Sequence, residues 1–83
     1  MAEKEIGKVT HYFSKIRVAG IELSDELAVG DTILIKGVTT YFQQKVESMQ
    51  LENQNIDKGK PGQLIGVAVQ EKARSGDKVY KME

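Results

Sequence analysis

Cysteine and tryptophan are absent from this chain, and histidine and proline occur once each. Without cysteine there is no disulfide framework and no thiolate metal site, and a single imidazole, His11, leaves no histidine cluster to hold zinc. Charge of one sign is not in excess: 12 basic residues balance 12 acidic ones, so the whole-molecule field exerts no general pull on nucleic acid or anionic lipid. Any such binding requires a local patch. No run approaches the roughly 18 apolar residues of a membrane span, and the start, Met1-Ala2-Glu3-Lys4-Glu5, lacks the apolar segment of a secretory leader. The expectation is a cytoplasmic protein that does not enter a membrane. Gly-x-x-x-x-Gly-Lys-Ser/Thr does not occur either, so neither GTP nor any other cofactor is expected to bind. At 83 residues the chain, 1–83, reads as one domain, and so small a domain buries only roughly 60% of the surface that its unfolded chain exposes.

What is present is glycine at corners with β-branched residues between them. Leu27 to Gly37 sets a Gly30-Asp31 turn ahead of Ile33 and Ile35 at period two, a turn feeding a half-buried strand. Arg74-Ser75-Gly76-Asp77 repeats the corner ahead of Lys78-Val79-Tyr80. Ile6 to Phe13 reads as a strand with Gly7, Val9, His11 and Phe13 on one face, Gly7 marking a close backbone approach. In Ile16 to Leu23 the apolar parity changes from Ile16 and Val18 to Ala19, Ile21 and Leu23, which predicts a bulge near Val18 to Gly20. Val38 to Phe42 lacks clean alternation and reads as a loop over one end of the core. Gln43 to Glu52 is the longest predicted strand, bulged at Glu47 and Ser48, and Asn53 to Asp57 is a polar stretch with Ile56 as its buried candidate. Lys58-Gly59-Lys60-Pro61-Gly62 is the strongest turn signal. Gln63 to Val69 alternates strictly with Ile65, Val67 and Val69 inward and Leu64, Gly66 and Ala68 outward, and Lys78 to Met82 is the last strand.

Six such strands without an amphipathic helix predict an all-β fold, a small closed six-stranded barrel with no exposed edge. Val9, Val18, Ile33, Ile35, Val46, Met49, Ile65, Val67 and Val79 are its predicted core, with little interior space for a ligand.

The order of several short pieces carries a resemblance. Gly7-x-Val9, Leu27-x-Val29-Gly30-Asp31-x-Ile33, Val46-x-Ser48-Met49-Gln50-Leu51, Lys60-Pro61-Gly62-x-x-Ile65-Gly66-x-x-Val69 and Arg74-x-Gly76-Asp77-x-Val79 resemble the second domain of elongation factor Tu and elongation factor 1-alpha. Thr39-Thr40-x-Phe42, Val46-Glu47-Ser48-Met49-Gln50 and Gly76-Asp77-Lys78-Val79-Tyr80 look closer still to small stand-alone translation-factor-like proteins. They also resemble the barrel at the end of collagenase-like peptidases that act in RNA modification. The resemblance implies a translation-protein barrel that faces RNA or the ribosome. In the elongation factors a glutamate on the strand matching Val46 to Leu51 meets the terminal adenosine of charged transfer RNA; that position is Gln50 here, an amide that can both donate and accept.

Candidate chemistry is sparse. His11 reads as a packed or surface histidine, since no cysteine or serine partner is set beside it. Asp25, Glu26 and Asp31 read as a solvated turn and a turn cap rather than a carboxylate cluster. Lys58, Lys60, Lys72, Arg74 and Lys78 fall near strand ends, where they could form a phosphate-binding rim. Tyr12, Tyr41 and Phe42 are candidate stacking platforms, with Phe42 better suited to be a core lid. The expectation is a non-catalytic binding module that contacts RNA, the ribosome or an RNA-modification enzyme through Tyr41, Gln50, Lys58, Lys60 and Arg74. The alternative is an adaptor that recognises a peptidase-like protein partner and never touches RNA.

Overall fold

Three turns of one kind shape the chain. Ala28 to Asp31, Lys60 to Gln63 and Arg74 to Asp77 each carry glycine third, at φ 100° for Gly30, 86° for Gly62 and 96° for Gly76, the position at which a type II turn needs a positive φ. In each, the fourth residue caps the first: Asp31 Oδ2 accepts from the Ala28 N–H at 2.9 Å, Gln63 Oε1 from Lys60 at 2.8 Å and Asp77 Oδ2 from Arg74 at 2.8 Å. The backbone N–H of the fourth residue donates back to the carbonyl of the first in all three. Both Gly-Asp corners therefore form as expected, and the Pro-Gly turn repeats their geometry with a glutamine in the capping role.

Between the corners the chain is strand. The computed structural model describes residues 3–52 and 54–82. The strands are β1 Glu3–Phe13, β2 Val18–Leu23, β3 Leu27–Ala28, β4 Thr32–Lys36, β5 Tyr41–Lys45, β6 Met49–Leu51, β7 Gln54–Ile56, β8 Lys58–Gly59, β9 Leu64–Ala68 and β10 Lys78–Met82. Met1, Ala2 and Asn53, part of the predicted start and polar stretch, lie outside the described residues. Eight strands form one sheet in the order β5-β4-β10-β1-β2-β9-β6-β7, and β3 pairs only with β8. The all-β expectation holds. The ladder is cut into more and shorter strands than the six expected, and its hydrogen bonding ends on β5 and β7 without closing into a ring.

Several boundaries differ from the sequence reading, each for a local reason. The parity change ahead of Ala19 is no bulge in β2: residues 14–17 form a turn, so Ile16 precedes the strand. The extra residue is Thr10 on β1, where the register with β2 slips between Val9 and His11. That slip turns His11 and Phe13 outward and packs Tyr12 against the core, the reverse of the predicted faces. Val38 to Phe42 is not all loop, because β5 starts at Tyr41 and pairs residue for residue with β4. The bulge predicted at Glu47 and Ser48 is a full corner that separates β5 from β6, so β1 rather than Gln43 to Glu52 is the longest strand.

Eight of the nine predicted core residues join one cluster with Ile6, Ile21, Leu23, Leu27, Phe42 and Val69. Val18 is the exception, half-buried on the outer face of β2 opposite Ala68. Gln44 is the one glutamine buried in the wall, 6% exposed, and its amide is satisfied by Ala68 and Gln70. No buried side-chain nitrogen or oxygen among the described residues lacks a partner, as expected where the cost of an unmade hydrogen bond would consume much of a small domain's stability.

Candidate functional site

The predicted contact residues fall in three places. Tyr41, 72% exposed at the start of β5, stands opposite Lys36, whose Nζ lies 6.0 Å from its ring centroid. Lys36 also lies 5.0 Å from the Tyr80 ring centroid and bonds Glu3 at 2.7 Å, which holds its ammonium above the ordinary lysine pKa. Arg74 belongs to the same side of the molecule, across a cleft lined by Lys36, Val38 and Lys78. Lys58, on β8, pairs with Glu26 at 3.5 Å, and Lys60 opens the Pro-Gly turn. Gln50 is elsewhere, on the outer face of β6, hydrogen-bonded to Asn55 Oδ1 at 3.3 Å. Gln50 thus lines a depression to which Tyr41 does not contribute, and the two do not share one surface.

The acidic residues are likewise dispersed. Asp25 pairs with Lys4, and that bond, assisted by the Glu26 N–H, lowers its pKa below the ordinary 3.8. Asp31 caps its turn and lies 3.5 Å from Lys81. Among the described residues no three His, Cys, Asp or Glu side chains converge to hold a metal.

Gln50 belongs to a groove of about 420 Å³ on the outer faces of β1, β2, β9 and β6. Register explains its shape. His11 pairs with Gly20, Gly20 with Gly66, and Gly66 with Gln50, so a row across four strands carries side chains at its ends and two glycines in its middle, Gly20 buried and Gly66 half-buried. Outward side chains two residues away on the same face form the walls, Phe13 and Val18 at one end and Leu64 at the other. His11 and Phe13 stack with ring centroids 4.6 Å apart. The groove was legible in no single stretch: Gly20 and Gly66 gain meaning only once they pair. Strictly outward Leu64 and Gly66, both read as such in the sequence, were the one available signal.

The class that the fold defines is a small all-β domain. The C-terminal domain of a Geobacillus thermoleovorans protein classed with the U32 peptidases superposes with a TM-score of 0.90 at 19% identity, covering 96% of this chain and 93% of that one. Its selenomethionine variant gives 0.87 at 19% identity, over 92% and 96%. Among curated relatives, an uncharacterized protease of Methanocaldococcus jannaschii is 41% identical over 80 residues, 95% of this chain and 20% of the relative. A collagenase of Porphyromonas gingivalis is 44% identical over 80 residues, 94% of this chain and 22% of the relative. The chain therefore spans about a fifth of the length of the curated relatives it matches. No protein-family model matches it.

These likenesses correct the translation-factor and RNA-binding expectation: the relatives are a protease and a collagenase, and the shared fold is a peptidase's C-terminal domain. The collagenase-like part of the resemblance stands. The physical reason for the error lies in what the matching pieces do. Gly30, Asp31, Gly62, Gly76 and Asp77 build turns, and Ile33, Ile65 and Val79 fill the core, so they report a fold and say nothing of its ligand. As for the membrane, no helix among the described residues is long and apolar enough to cross one.

Proposed function

We propose that this chain is a non-catalytic accessory domain that docks on a peptidase-like enzyme, an adaptor with no RNA contact and no GTP. The observation that carries the reading is one of proportion: 94% of the chain matches 22% of a collagenase, at 44% identity, so the likeness is to one part of a larger peptidase. The dispersed acidic groups and the position of His11, stacked on Phe13 instead of bonded to a nucleophile, support a part without chemistry of its own. The reading treats residues 1–83 as one domain and takes its wall as barrel-like. Support for the latter comes from Gln44 of β5, which reaches Ala68 and Gln70 at the end of β9, and from the core that Phe42 shares with Met49. The setting is taken as the cytoplasm, where a chain without cysteine gives up nothing by lacking disulfides.

The test is a calorimetric titration of the chain into the Porphyromonas gingivalis collagenase from which the matching 80-residue segment has been removed. Saturable binding with Kd below about 100 μM is expected, together with no gelatin hydrolysis by the chain alone. Absence of binding, or proteolysis by the isolated chain, would refute the reading.

A further inference from the structure

We infer that the trough over Gly20 and Gly66 is a docking groove for a short segment of a partner polypeptide, a bulky apolar side chain lying on the bare backbone floor and an adjacent carboxylate reaching Lys15 and Arg17. The inference rests on the accessory-domain reading for the existence of a protein partner, and deepens it by naming the surface and the chemistry recognised.

The fold does not demand glycine at position 20, and at position 66 a side chain would ask only that Val18 give way slightly. A Cβ on Gly20 would come no nearer than 3.5 Å to another atom, ordinary contact, and one on Gly66 would meet only Val18 Cγ1, at 3.1 Å. Neither glycine has a positive φ. By contrast, a Cβ on Gly37 would overlap the Asp77 carboxylate, and one on Gly59 would stand 2.6 Å from Leu23 Cδ1. What a side chain at position 20 or 66 would do is fill the trough. The walls are apolar and uncovered, with Phe13 at 47%, Ile16 at 67% and Leu64 at 57% exposure around this one depression.

Strain and charge mark the same place. Arg17 at φ 54° and Glu52 at φ 52° are the non-glycine residues in the left-handed region among those described, a conformation that costs any residue with a Cβ and recurs where function holds it. Glu52 lines the groove, and Arg17 sits between the lining residues Ile16 and Val18. Lys15 and Arg17 are exposed, and neither meets a carboxylate among the described residues. By register Glu52 is level with Leu64, at the end away from Arg17, so a carboxylate lines one end of the groove and the turn that carries Lys15 and Arg17 stands beyond the other. That polarity orients an extended segment and selects one whose acidic residue follows the apolar anchor toward Arg17.

The test titrates the 83-residue chain with labelled peptides of about nine residues, each with a central Leu, Phe or Tyr flanked by aspartate, using lysine-flanked and alanine-centred controls. Binding is read by anisotropy and by amide NMR shifts. The aspartate-flanked peptides should move the Gly20, Gly66 and Gln50 amides, and the controls should not. Gly20→Val should abolish the shifts while leaving a dispersed spectrum, and Arg17→Glu should weaken binding by about tenfold or more and reverse the preference toward lysine. Should Gly20→Val unfold, Leu64→Ser at an exposed wall carries the same prediction. The inference is overturned if peptides at about 1 mM leave these amides unmoved, if both variants bind as the parent does, or if the shifts follow protein concentration alone, which assigns the trough to a second copy. The collagenase titration separates the two readings. Binding there that Gly20→Val and Arg17→Glu leave intact removes the groove and keeps the accessory domain; peptide binding without collagenase binding does the reverse.

Discussion

The side-chain amide of Gln44 accepts a hydrogen bond at 2.7 Å from the backbone N–H of Gln70, 26 residues away, while its Nε2 donates to the Ala68 carbonyl at 2.8 Å. One side chain thereby takes the place of a neighbouring strand, satisfying the carbonyl of the last residue of β9 and the N–H two residues beyond it. Gln44→Leu keeps the volume and loses both bonds, so it should cost about 1–3 kcal/mol, the range for leaving buried polar groups unpaired. Urea unfolding decides it, and a variant as stable as the parent would show that water replaces the amide.

Gly37 and Asp77 form a second tight relationship. A Cβ at position 37 would collide with the carboxylate that caps the Arg74 turn. Gly37→Ala should destabilise by about 1–3 kcal/mol through overpacking. In an Asp77→Ala background the same substitution should cost markedly less, because the obstructing group is gone. Additive costs in the double-mutant cycle would argue that the strain lies elsewhere.

Ile35, fully buried on β4, should lose about 2–5 kcal/mol on truncation to alanine, enough to threaten a domain of this size. Val18, outside the core cluster, should lose about 1 kcal/mol or less. Equal losses at the two positions, measured by thermal or chemical unfolding, would mean that the core extends through the groove face.

Asp25 offers a prediction in pH. Its folded pKa is depressed by Lys4, so the pair's contribution is present above the unfolded value and is lost as pH falls through the lower folded value. Lys4→Met should move the Asp25 midpoint up toward 3.8, followed through the carboxyl carbon shift in NMR. The pair is solvent-exposed, so overall stability at neutral pH should hardly change. An unmoved midpoint would assign the shift to the Glu26 N–H instead.

Turn chemistry and strict alternation were written in the sequence. The Gly-Asp corners, the Pro-Gly turn, the inward faces of β4 and β9 and most of the core follow from which residues tolerate a positive φ and which repeat at period two. The places where the reading slipped are those where a distant partner set the outcome. Gln44 interrupts an otherwise regular inward series of Thr40, Phe42 and Val46, and only the backbone of Ala68 and Gln70 makes a glutamine acceptable there. Thr10 reverses the faces of His11, Tyr12 and Phe13 because β2 skips it in pairing, a matter of register between strands that no local pattern encodes. The groove shares that origin: Gly20 and Gly66 are unremarkable glycines in the chain, and antiparallel pairing across β2 and β9 makes them one bare floor.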